Sequence, residues 1–219
     1  MNDYLTYKKF NSLEALTDLK DLLDNNKIEY IVEDTSSSVD LTFSGGNAFD
    51  KEIRIKVQQS DFVIIDKLLE DEAKNTNYEI DKEHYLLEFT NEELLEIIEK
   101  PDEWSKPDFI IAQTILNNRG IKITQEKIDN LKKVRLTQLS EPEKGQTGWI
   151  IAGYISAFLG GLFGIFIGWH LLTFKKTLPN GQRVYEYDIN ARKHGQRILI
   201  IGFICLAFWL CYQLIRMMN

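Results

Sequence analysis

Leu13, Leu16, Leu19, Leu22 and Leu23 recur at intervals of three and four, which places them on one face of a helix. Asn11 stands ahead of the run as an N-cap, with Glu14 three residues on at capping-box spacing, so the pattern predicts a helix over 12–25. Before it, Leu5, Tyr7 and Phe10 open an extended segment. After it, Ile28–Val32 is rich in β-branched and aromatic residues, and Ile53, Ile55 and Val57 alternate with Arg54 and Lys56 as a half-buried strand does. Ser60 and Asp61 start a further helix carrying Phe62, Ile65, Leu68 and Leu69. The predicted order is strand, helix, strand, strand, helix, an α+β arrangement in which helices cover one sheet face.

From Thr90 the period stays helical. Thr90 and Glu93 sit at capping-box spacing, and Ser105 caps a segment with Pro107 early and an apolar stripe of Phe109, Ile110, Ala112, Ile115 and Leu116. Gly120 marks its stop, and Thr124 caps one more helix with Ile128, Leu131 and Val134. A polar linker, 140–148, follows. Then the character changes. Residues 149–174 contain no Asp, Glu, Lys or Arg, and 198–215 repeat the pattern; both are read as long enough to cross a bilayer, which requires roughly 20 apolar residues. The organisation predicted is therefore an α+β unit over 1–75, a helical region over 76–139, the linker, a first transmembrane helix over 149–174, a polar loop over 175–197 and a second transmembrane helix over 198–215. Pro179-Asn180-Gly181 gives the loop a hairpin-turn signal.

Charge sharpens the division. The formal net charge is −7, but residues 1–148 hold 19 Lys+Arg against 31 Asp+Glu, a net of −12, and the remainder holds 7 against 2, a net of +5. An acidic head repels phosphate backbones, which excludes nucleic acid as the expected partner. The opening residues lack the apolar core of a signal peptide, so the head is expected in the cytoplasm and the chain in the inner (cytoplasmic) membrane, with the lipid bilayer as a partner. The positive-inside rule differs by only one charge on two spans: six Lys+Arg in the loop oppose five, Lys132, Lys133, Arg135, Lys144 and Arg216.

Between the second and third strands, 34–51 (DTSSSVDLTFSGGNAFDK) is long for a compact domain, and Val39–Phe43 has the composition of a further strand. Ser44, Gly45, Gly46 and Asn47 form a candidate ligand-binding loop whose amides suit an anion; the same residues also suit a plain hairpin tip. YLTYKKFNSLEALTDLKDLLDNNKIEYIVED and EIRIKVQQSDFVIIDKLLEDE together resemble the putative prokaryotic signal-transducing protein domain, a small bacterial family of unknown biochemistry whose fold is similar to the ferredoxin-like PII signalling proteins. The likeness covers about a third of the chain. It implies a ferredoxin-like fold and a signalling role, and it brings no catalytic residue. Where that family often has Ala at the start of the last helix, this chain has Phe62 and Val63.

Small residues mark the first apolar stretch. Gly160, Gly164 and Gly168 recur every four positions, as do Gly153, Ala157 and Gly161, an interval that lets a second helix approach closely. The neighbour is either the second apolar helix or another copy, which leaves a homo-oligomer or a protein partner open. Trp149 and Trp169, twenty residues apart, are placed to mark two membrane interfaces, with His170 beside the second. The apolar stretches lack the ionisable groups that line transport paths. Cys205 and Cys211 share one helix and cannot pair. His84 and His194 belong to no metal-ligand spacing, and no metal or cofactor is expected. Asp81, Glu83 and Glu88 beside His84 are the only grouping with an acid–base cast, and they read as a solvated face. The chain is expected to be a membrane-anchored, non-enzymatic signalling or interaction module, or else an accessory subunit that associates through its glycine-rich first apolar helix.

Overall fold

The first patterned segments fold as β1 (Tyr4–Phe10), α1 (Glu14–Asn25), β2 (Tyr30–Asp34), β3 (Ile53–Gln58) and α2 (Asp61–Asn75). The computed structural model describes residues 4–11, 14–34, 52–75, 84–144 and 147–218. Ser12 and Leu13, next to the expected Asn11 cap, lie outside the described residues, as do the expected strand at Val39–Phe43 and the candidate loop Ser44, Gly45, Gly46 and Asn47. The three strands form one antiparallel sheet in the order β1-β3-β2. The β1 register shifts between Thr6 and Lys8, a bulge at Tyr7. Such bulges re-aim a side chain. The Tyr7 ring meets Phe62 edge-on at 5.2 Å, and its hydroxyl donates to Asp66 at 3.0 Å.

Period two does its work on β3: Ile53, Ile55 and Val57 are buried beneath Leu16, Leu19 and Leu23 of α1 and Phe62 and Ile65 of α2. Arg54 and Lys56, on the opposite face, pair with Glu33 and Glu52. Helices thus cover one face and charge solvates the other, as expected.

A second core gathers Leu86 of a 3-10 turn (Tyr85–Glu88) with α3 (Asn91–Glu99), α4 (Lys106–Asn118) and α5 (Gln125–Ser140). The expected caps are present. Thr90 and Glu93 bond reciprocally at the start of α3, the Ser105 hydroxyl accepts from Asp108 N with Pro107 in the first turn of α4, and Thr124 accepts from Lys127 N. Gly120, at φ +86°, ends α4. The Arg119 guanidinium donates to Leu87 O and Phe89 O, so the end of α4 clamps the 3-10 turn. Lys106 pairs with Asp66 and Lys132 with Glu70, which ties α4 and α5 to α2. The chain divides into two compact units, Met1–Leu139 with Thr177–Gln182, and Ser140–Lys176 with Arg183–Asn219; the sheet and the middle helices thus belong to one unit.

The second unit departs from expectation. The single helix expected over 149–174 is two, α6 (Thr147–Phe158) and α7 (Leu162–Thr173). Gly160 at φ +154° and Gly161 at φ +83° turn the chain between them, a conformation that glycine adopts without a Cβ clash. Gly153 of α6 faces Ile167 of α7, and Ala157 faces Gly164, so the two helices run antiparallel. The turn at Pro179-Asn180-Gly181 forms as the dipeptide signals predict, between β4 (Lys175–Thr177) and β5 (Arg183–Tyr185), with Asn180 Oδ1 accepting from Gln182 N. The last helix, α8 (Ile189–Met218), starts nine residues earlier than expected, and Arg192, Lys193 and Arg197 lie on it rather than in a loop. Among the described residues one helix, Ile189–Met217, is long and apolar enough to cross a membrane; α6 and α7 are each shorter.

Candidate functional site at the root of the apolar helices

Glycine sets how α6, α7 and α8 meet. A Cβ built on Gly168 would lie 2.7 Å from Gly195 O, and one on Gly195 would lie 2.8 Å from Gly168 O. Gly161 and Gly202 make the same reciprocal approach one level deeper. The seam therefore consists of Gly161, the N-cap of α7, and Gly168 on that helix, seven residues apart, facing two glycines seven apart on α8. Gly164 instead abuts Ala157 of α6, and Gly153 receives Ile198 and Ile167. Five of the six predicted packing residues thus pack within the chain. Gly160 does not: nothing approaches its Cβ position, and its role is the turn. Gly195 and Gly202 went unrecognised, although their spacing of seven mirrors that of Gly161 and Gly168.

The outer ends of the three helices are stitched together by backbone bonds. Glu143 N donates to Glu186 O at 2.7 Å, and Glu186 N donates to Phe174 O at 3.2 Å. A bridge also joins Glu143 to Tyr187. The approach to α6, the exit from α7 and the approach to α8 consequently share one end of the unit, its root.

Titratable side chains collect there. His170 Nε2 lies 3.0 Å from the Tyr187 hydroxyl, Tyr154 OH lies 3.0 Å from His194 Nδ1, and Lys176 donates to Glu141 O. Burial pushes the Glu186 carboxyl above the usual glutamate range; Lys176 pulls the other way, and a side-chain hydrogen bond and charge from Glu143 add to the rise. Burial, then the charges of Glu143 and Glu186, raise the Tyr187 hydroxyl. Arg192 stacks on the Tyr185 ring at 3.4 Å, and Lys175 lies over the same ring at 4.7 Å. Chemically the root offers two carboxyls brought together by a backbone bond, two His–Tyr contacts and a set of cations.

The other expected site residues fall as follows. Trp149 and Trp169 are both exposed, but the antiparallel packing of α6 on α7 brings them to the same end, so they do not bracket two interfaces. His170 is a partner of Tyr187 as well as an end-of-helix residue. His84 accepts from Leu86 N as the cap of the 3-10 turn, while Asp81 and Glu83 lie outside the described residues. Among the described residues no group of three His, Cys, Asp or Glu is placed to hold a metal ion. Compared with known proteins, the chain matches no family model, no curated protein and no solved structure.

Proposed function

We propose that this chain is a membrane-anchored, non-enzymatic signal-transducing or interaction module, in which α6–α8 hold the acidic head at the cytoplasmic membrane. One observation carries the anchor. Beyond the root, the outward surface of α6–α8 is predominantly apolar, with Trp149, Ile155, Phe158, Leu159, Phe163, Phe166, Phe203 and Phe208 each more than half exposed. Side chains of this kind form so large a contiguous patch only where lipid or protein covers them.

For the head, the antiparallel order β1-β3-β2 with α1 and α2 on one face supports a ferredoxin-like reading, since it follows the first five elements of a β-α-β-β-α-β unit. The sixth element, a strand beside β1, is not among the described residues. An accessory-subunit role through the glycine rows of the first apolar stretch has less support, because Gly161, Gly164 and Gly168 already meet α8 and α6.

Washing membranes that carry the full chain at alkaline pH tests the anchor. Retention in the pellet is expected, and release without detergent refutes it. A pull-down of the solubilised full chain that yields no partner, together with no ligand-induced thermal shift, argues against the interaction role.

A further inference from the structure

We infer that α6–α7 enters and leaves the bilayer through one leaflet, that its charged root seats on the anionic cytoplasmic lipid face, and that α8 alone crosses. The inference rests on the membrane anchoring proposed above and adds its topology. Length is the first argument. Twelve residues at 1.5 Å each make α6 and α7 about 18 Å long, against a hydrocarbon core of about 30 Å, whereas the 30 residues of α8 reach about 45 Å.

The turn between α6 and α7 is the second argument. Phe158, Leu159, Leu162 and Phe163 surround it at 69, 83, 51 and 72% exposure, where a turn in water carries polar residues. Non-helical backbone at membrane depth is tolerated where protein covers it. Here Gly161 is pressed against Gly202 and Leu206 of α8 while Gly160 faces outward, and the helical bonds resume from Leu159 N to Ile155 O before the turn and from Ile165 N to Gly161 O after it.

Charge is the third. With the hairpin folded back, Lys144, Lys175, Lys176, Arg183, Arg192, Lys193 and Arg197 all belong to the root end, and Arg216 stands alone at the far end of α8. The six-to-five count that two spans impose becomes, over 144–216 alone, seven to one, and the positive-inside rule then favours the root in the cytoplasm. Arg192 and Lys193 also sit at the first turn of α8, where the helix dipole disfavours cations. Anionic headgroups at the interface offset that cost. The exposed Trp149 and Trp169 lie at this same end, at the depth where indole rings favour the interface.

The test uses the full chain with Cys205→Ala and Cys211→Ala, expressed in a bacterial host and treated with a membrane-impermeant maleimide. One version carries Gln182→Cys and another a cysteine added after Asn219. In intact cells the added terminal cysteine is labelled and the Gln182→Cys chain is not; lysis exposes the latter. Labelling of the Gln182→Cys chain in intact cells, or protection of the added cysteine there, overturns the inference while leaving membrane anchoring untouched. Replacing Lys175, Arg192, Lys193 and Arg197 by Gln lowers the labelled fraction of the added cysteine at least twofold. An unchanged fraction overturns the seating on an anionic face.

Discussion

Gly168→Ala is the sharpest probe of the glycine seam. The new Cβ would meet Gly195 O and Leu199 N, both at 2.7 Å and both backbone atoms, whereas ordinary contacts start near 3.4 Å. The helices must therefore part by about 0.7 Å, a gap that forfeits roughly a quarter to a half of each van der Waals well along the seam. Over some tens of atom pairs at about 0.1–0.2 kcal/mol each, the loss is about 1–3 kcal/mol, the usual range for overpacking. Alanine's better helix propensity returns about 0.5–1 kcal/mol. The net destabilisation is centred on about 1 kcal/mol and reaches at most about 2.5 kcal/mol, roughly 5- to 70-fold in the folding equilibrium.

Gly148→Ala supplies the control: in the first turn of α6 no described atom lies within 4 Å of its Cβ position, so no clash opposes a small propensity gain and the sign reverses. Gly195→Ala acts on the same approach from the other side, and the double substitution costs less than the sum, because the helices are already parted. Titrating SDS into dodecyl maltoside micelles, with unfolding followed by circular dichroism, measures all four chains. If Gly168→Ala stabilises as Gly148→Ala does, the seam is not what holds α7 to α8.

Two further substitutions test other parts of the account. Glu186 binds its proton more tightly folded than unfolded, so its contribution is fully present below about pH 4 and is lost as pH rises through the folded value; Glu186→Gln flattens that decline in melting temperature, and an unchanged slope contradicts the raised Glu186 carboxyl. Arg135 donates to both Asp102 oxygens, at 2.8 and 2.9 Å, and Arg135→Ala costs the head about 1.5–3 kcal/mol in chemical denaturation. Burial alone would raise the Asp102 carboxyl, but the Arg135 bonds outweigh it and hold it below its usual value; the wild type's advantage over Arg135→Ala is thus present above about pH 4 and shrinks as pH falls further.

The order of elements in the head was legible because each signal was local. Leucines at three and four, the β3 alternation, the Thr90–Glu93 box and the Gly120 stop depend on residues a few positions apart, and each formed. The root was not legible. Glu143, His170, Glu186 and Tyr187 are scattered over 45 positions of sequence and meet only because α6–α7 folds back. The fold-back itself depends on two adjacent glycines. Gly160 satisfies the same spacing rule as the true packing glycines, Gly161 both packs and turns, and hydropathy is blind to a turn whose neighbours are Phe and Leu. The two-interface reading of Trp149 and Trp169 followed from that one missed break.

The distance between those two tryptophans is the most direct measure of the hairpin. Packed helices lie 8–10 Å apart, and Trp169 is about three residues along the axis from the level opposite Trp149, so their backbones are about 11 Å apart. A continuous spanning helix separates them by about 30 Å. Spin labels on Trp149→Cys and Trp169→Cys, in the Cys205→Ala, Cys211→Ala chain reconstituted in lipid nanodiscs, report this through dipolar broadening of the continuous-wave spectrum. Strong broadening relative to the singly labelled chains is the expected result, and its absence contradicts the re-entrant hairpin.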